Sequence, residues 1–189
     1  MGMLSRDDLV KMGFPSVGQN VLISSKASIY GASRIKIGDN VRIDDFCVLS
    51  AGRDGIVIGS NVHIAVYSLL IGAAEIVISD FAGLSSRVSV YSSSDDYSGW
   101  TMTNPTIPDN FKNLNHASVF IGRHVIVGSG SVILPGVRIE EGAAIGALSM
   151  VSRDCESFGI YSGNPARKVK DRQRHLLSLE KEFLRVGNS

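Results

Sequence analysis

The 189-residue chain is poor in the residues that mark a stapled, metal-bound or membrane-embedded protein. Its two cysteines, Cys47 and Cys155, stand far apart, so no disulfide framework or paired-cysteine metal site is encoded. A reducing cytoplasm is the expected compartment. Aromatic residues amount to 7%, with Trp100 the single tryptophan, which leaves a core to be filled by aliphatic side chains. The net charge of +1 supplies no overall basic field of the kind that draws a protein to nucleic acid, so no nucleic-acid partner is expected. No apolar run is long enough to span a membrane, and the opening MGMLSRDDLVKMGF lacks the charged-then-apolar profile of a secretory signal. The expectation is a soluble cytoplasmic protein without membrane insertion.

What the chain has in abundance is a spacing. From Ile121 an aliphatic residue returns at every sixth position: Val127, Ile133, Ile139, Ile145, Val151. The same comb appears in Val17, Ile23, Ile29 and Ile35, in Ile37, Ile43 and Leu49, in Ile58, Ile64 and Leu70, and in Ile78, Leu84 and Val90. A helix repeats its buried face every 3.6 residues and a strand every 2, so a repeat of six means short strands joined by regular corners. A second slot, four residues after each aliphatic, holds small or modest side chains such as Val41, Cys47, Val62, Ala82, Val125, Ser131, Ala143 and Ser149, which suit a narrow interior corner. Cys47 is therefore read as packing, and Cys155, in the turn SRDCES, as incidental. Gly38-Asp39-Asn40, Gly59-Ser60-Asn61 and Gly122-Arg123-His124 read as corners that tolerate positive φ. Stacked coils of this kind pair their strands in parallel at about 4.8 Å and make an all-β solenoid.

The comb slips slightly at Gly52 to Gly55 and Gly72 to Ala74 and breaks fully from Tyr91 to Ser118. Long loops without repeats are uncommon in compact domains unless they bind something, so this arm is the expected active-site element. After the last coil, Val169, Leu176, Leu179 and Phe183 form an apolar stripe with helical spacing. The expected organisation is a cap segment over 1–16, N-terminal coils over 17–90, the inserted loop over 91–118, C-terminal coils over 119–157, and an exit segment with a C-terminal α-helix over 158–189.

The stretch IGRHVIVGSGSVILPGVRIEEGAAIGALSMVSRD and the following SGNPARKVKD resemble the final coils and exit of the hexapeptide-repeat acyltransferases, in particular the galactoside and maltose O-acetyltransferase branch of sugar acetyltransferases. The resemblance runs from about residue 17 to 172. It implies a left-handed parallel β-helix, a homotrimer with clefts between subunits, and acetyl-CoA as cosubstrate lying along the late coils without a metal. By the same resemblance Ser129, Ala147 and Ser152 fall where pantetheine contacts lie, and Arg153, Arg167 and Lys170 where cations meet nucleotide phosphates. A solvated helix start is the plain alternative for Arg167 and Lys170. Two departures concern the acceptor. Asp95 stands where the family places its catalytic histidine, and Ala65 and Ala73 replace two polar residues that hold sugar hydroxyls in galactoside-type members. The acceptor implied is thus a sugar or nucleotide-linked sugar, through a hydroxyl or an amine, in surface-polysaccharide biosynthesis.

Acyl transfer from a thioester needs a base of near-neutral pKa for the attacking group. His116, at the far end of the arm, is the first candidate, with Asp95 at its near end as catalytic partner or acceptor ligand. His63 is the second candidate base or an acceptor ligand, and Asp96 and Tyr97 are further acceptor-binding candidates. Tyr97 or Trp100 would stack on a sugar or base face. His124 reads as a structural corner residue and His175 as a solvated helix residue. No serine or cysteine sits in an activating motif, so direct attack in a ternary complex is expected rather than an acyl-enzyme. A zinc-dependent anhydrase on the same scaffold would need three converging histidines, and a non-catalytic sugar-binding or scaffold solenoid is the alternative that the substituted Asp95 keeps open.

Overall fold

The computed structural model describes residues 2–186; position 1 of the expected cap and positions 187–189 of the expected exit segment lie outside the described residues. The chain winds into a three-sided prism. One face stacks Ser16–Val17, Ile35–Ile37, Ile56–Ile58, Ile76–Ile78, Val119–Ile121 and Arg138–Ile139. A second stacks Leu22–Ile23, Arg42–Ile43, His63–Ile64, Gly83–Leu84, Ile126–Val127, Ala144–Ile145 and Gly159–Ser162. The third stacks Ser28–Tyr30, Val48–Ala51, Leu69–Gly72, Ser89–Tyr91, Val132–Ile133 and Met150–Val151. Successive strands visit the faces in turn, and neighbours within each face's stack of coils pair in parallel, as in Ile43 with Ile64 and Leu84 with Val127. The fold is the parallel β-solenoid the comb demands.

The comb aliphatics from Ile23 onward point to the axis and are buried, Ile29 only partly, and so are the second-slot residues Val41, Cys47, Val62, Ala82, Val125 and Ala143. Full burial of one such aliphatic is worth about 1.5–3 kcal/mol, so the axis is the main source of stability. Cys47 is a packing residue, as its slot requires: its Sγ lies 3.1 Å from the Ala65 carbonyl, and burial pushes its thiol pKa up. Cys155 is not incidental. It is buried, bridges to Ile139 at the last coil, and burial pushes its thiol up to about 12, so both thiols are poor nucleophiles.

The expected corner triplets each hold a positive φ, at Asn40, Asn61 and His124, and other corners place it on larger side chains. Positive φ falls on Asn20, Asn40 and Asn61, but also on the bulky Phe46, Tyr67, Phe81, Arg87 and Leu148. A left-handed conformation costs an L-residue about 1–2 kcal/mol, which the stacking of equivalent corners offsets. Phe46 stacks on Tyr67 at 5.0 Å, and the Asn20, Asn40 and Asn61 amides bond in a ladder. Gly38 serves close approach instead: a Cβ there would lie 2.7 Å from the Gly59 carbonyl carbon.

The arm leaves at the corner between the third and first faces and returns without disturbing the stack, since Ile76–Ile78 pairs directly with Val119–Ile121. Its stem is an antiparallel pair, Ser93 with His116 and Ser94 with Asn115. Helix α1 (Arg6–Met12), capped by Ser5 and Asp8, covers the first coil, burying Leu9 and donating from Arg6 to the Val17 and Gly18 carbonyls. At the other end Arg167–Asp171 is a strand, antiparallel to Gly159–Ser162. Val169, Arg167 and Lys170 are thus strand residues rather than the start of a helix. The RKVKD stretch satisfies its backbone on the open edge of the last coil. Helix α2 (Leu176–Val186) follows and packs back along the solenoid, with Phe183 edge-on to Phe81 and Glu180 paired with Arg123 and His124. His124 also stacks on Phe81 at 5.0 Å, which makes it the structural corner residue expected. Among the described residues no helix is long and apolar enough to cross a membrane.

Candidate active site

On the second face the outward positions of successive coils line up as Arg42, His63, Gly83, Ile126 and Ala144. Gly83 has open space where a Cβ would stand, so one rung of the ladder carries no side chain. A cavity of about 320 Å³ opens there, lined by His63, Ala65, Ser85, Ser86, Ile126 and Ser129. It adjoins a larger groove of about 510 Å³, with Ser86 and Ser129 lining both and Tyr67, Arg87, Gly130, Ala147 and Leu148 lining the second. The small residues are enforced by the stacking, since a Cβ on Gly128 would lie 2.5 Å from the Ala147 nitrogen. The two cavities form one trough across four coils, with small walls at one end and an imidazole at the other.

His63 is held from below. Asp44, from the preceding coil, accepts from His63 Nε2 at 2.8 Å through Oδ2 and from Arg42 Nε at 2.7 Å through Oδ1. Burial alone would raise the Asp44 carboxyl, but the bonds from Arg42 and His63 outweigh it and hold it below its ordinary range. Asp44 is absent from the residues selected by sequence. The signal was available: Arg42 and Asp44 flank the inward Ile43, and one coil later His63 occupies Arg42's register.

His116 and Asp95 lie at the root of the arm, and neither lines the trough. They are not paired with each other. His116 Nδ1 is 2.8 Å from Ser93 Oγ, which also accepts from the Ala73 amide at 2.7 Å, whereas Asp95 accepts from the Asn104 amide. Asp96 is occupied inside the arm by the Ser98 amide, the Thr101 amide and the Thr101 hydroxyl, which hold its carboxyl down at about 2. Tyr97 and Trp100 are almost fully exposed. Ser129 and Ala147 share the larger groove. Lys170 lines a separate open cleft of about 470 Å³ with Arg172 and His175, while Ser152, Arg153 and Arg167 are exposed beyond both. The described residues contain no cluster of ligating groups suited to a metal ion.

The bacterial transferase hexapeptide (six repeats) family matches residues 118–153. The chain is 55% identical over 183 residues to a dTDP-4-amino-4,6-dideoxy-D-glucose acyltransferase from Escherichia coli, covering 97% of this chain and 95% of that one. Among solved structures it is similar to AntD, an N-acyltransferase from Bacillus cereus in complex with dTDP and 3-hydroxybutyryl-CoA, at 49% identity and a TM-score of 0.95, with both chains covered completely. AntD has also been solved with an aspartate replaced and, separately, with a serine ten residues earlier replaced. A maltose O-acetyltransferase from Clostridium difficile 630, 21% identical with a TM-score of 0.60 over 89% of this chain and 75% of that one, shares the fold. Matched along nearly its whole length by the 55% identical acyltransferase, the chain belongs to the hexapeptide-repeat acyltransferases.

Proposed function

We propose that this protein transfers an acyl group, acetyl in the simplest case, from its CoA thioester to the amine of a dTDP-linked 4-amino-4,6-dideoxy sugar. The observation that carries the reading is the trough on the second face. Its small-walled end, at Ser129 and Ala147, fits an extended pantetheine, and its side-chain-free rung at Gly83 leaves room for a sugar beside His63. The relatives whose names specify such a nucleotide sugar support the choice of an amine over a hydroxyl. Acyl-CoA enters as a substrate. Ser152 meets its pantetheine, and Arg153, Arg167 and Lys170 meet its phosphates, several cations for several charges.

The chemistry requires the amine nitrogen to attack the thioester carbonyl carbon, the C–S bond to break, and the amine proton to pass to a base and then to the leaving sulfur. Backbone N–H groups of the corners polarise the carbonyl. Asp95 and His116 reach this centre from the arm of a neighbouring copy in the homotrimer, bringing Tyr97 and Trp100 against the acceptor. The spacing in AntD supports a role for Asp95: its replaced serine and aspartate stand ten residues apart, as do Ser85 and Asp95 here, although Ser86 and Asp96 share that spacing. The five-part division over 1–16, 17–90, 91–118, 119–157 and 158–189 is then cap, acceptor wall, arm, thioester wall and exit. The enzyme works in the cytoplasm, on precursors of surface polysaccharide.

The test is incubation of the purified chain with acetyl-CoA and dTDP-4-amino-4,6-dideoxyglucose. Thiol release matched by acetylation of the sugar amine is expected. Thiol release no faster than thioester hydrolysis without the sugar would sink the reading.

A further inference from the structure

We infer that Asp44 is a positioning residue that fixes the proton of His63 on Nε2 and so makes Nδ1 the acceptor for the proton leaving the substrate amine. The inference rests on the acceptor reading above and adds to it the residue that sets the imidazole's tautomer. An ionised carboxylate only accepts, so an imidazole whose Nε2 lies 2.8 Å from Asp44 Oδ2 keeps a proton on that nitrogen in both its neutral and its charged form. The lone pair of neutral His63 then resides on Nδ1, which no protein group occupies among the described residues. Asp44 cannot turn away, because its side chain is 12% exposed and its other oxygen is engaged by Arg42 at 2.7 Å. The dyad spans two coils of a rigid wall, Arg42 pairing in register with His63, so the geometry is set by the stack and not by a loop. His63 itself is half-exposed and lines the cavity at the Gly83 rung.

In the reaction, the new C–N bond forms at the thioester carbonyl as the amine acquires positive charge. Its proton moves to His63 Nδ1, the C–S bond breaks, and the sulfur takes that proton from His63, leaving N-acylated sugar, free CoA thiol and a neutral imidazole. Asp44 stabilises the transient imidazolium without being protonated, the role a buried aspartate plays toward a catalytic histidine elsewhere.

The experiment compares wild type, Asp44→Asn and His63→Gln. Asn is isosteric with Asp but presents either an amide oxygen or an amide N–H to Nε2, so it releases the tautomer without emptying the site. For Asp44→Asn, kcat is expected to fall by on the order of tenfold to a hundredfold with KM for acyl-CoA unchanged, and His63→Gln to fall at least as far. Imidazole 15N spectra should show Nε2–H for His63 in the wild type and a mixture in Asp44→Asn. A kcat within about twofold of wild type in Asp44→Asn, or a wild-type His63 protonated on Nδ1, would overturn the dyad. A loss matched by a rise in KM for acyl-CoA would also overturn it, since that marks a distorted groove. No turnover by wild type would strike the acceptor reading instead, and the spectra would still judge the tautomer on their own.

Discussion

In the late coils, Ile121, Val127, Ile133, Ile139, Ile145 and Val151 are all buried, and equivalent residues of adjacent coils touch. In the arm, Tyr97 is 93% and Trp100 91% exposed, and the backbone is held by polar side chains: Asp96 on the Ser98 and Thr101 amides, Asp95 on Asn104, Asn104 on Thr106. One region is ordered by burial, the other by hydrogen bonds to its own main chain. The wall therefore supplies stability and a fixed surface, while the arm, which contributes little burial, is the part free to carry recognition.

Four interventions separate the two regions. Replacing residues 97–113 by a short glycine-serine link should lower turnover by about a thousandfold, the scale on which lost orientation acts, while the unfolding midpoint moves by a few degrees. Steady-state kinetics beside calorimetry would read both, and a comparable loss of stability would show that the arm is part of the core. Ile133→Ala does the reverse: a cavity at the axis should cost about 2–5 kcal/mol of stability, and the folded fraction should keep its kcat. Ala147→Leu narrows the trough, and KM for acyl-CoA should rise about tenfold with the midpoint unchanged; an unaltered KM would move the thioester off this face.

The smallest effect is expected at Asp96. Its carboxyl is held at about 2, below the ordinary value of 3.8, so its support of the arm is complete above 3.8 and is lost as pH falls from there through 2. The protection of the Ser98 and Thr101 amides relative to their intrinsic exchange rates should fall over that window, and in Asp96→Ala it should be low at every pH. Protection at the axis, for example at Ile145, should not change in the variant.

The axis was legible because aliphatic spacing is a local signal that burial translates directly into coils. Gly38 and Asn40 mark corners for the same reason. Phe46, Tyr67 and Leu148 do not, because their left-handed backbone is tolerated only where equivalent corners stack, a relation about twenty residues long-range in sequence. In RKVKD the one apolar residue, Val169, fits the helical spacing, but the open edge of the last coil decides for the strand. At the site, Ser129 and Ala147 came from family resemblance and share one groove, whereas the gap at Gly83 and the hold of Asp44 on His63 exist only once coils are superposed. His116 could be selected as a histidine near the arm, but its partner Ser93 faces it only through the stem pairing.

Ile78 meets Ile121 as if the intervening twenty-eight-residue excursion, Tyr91 to Ser118, had never been inserted. A segment attached so neutrally to its scaffold is an interchangeable part. Swapping it between homologues at the Ser93 and His116 hinge points should transplant acceptor preference while leaving the thioester rail and the folding of the host as they were, which gives evolution, and protein engineers, a single cassette to rewrite.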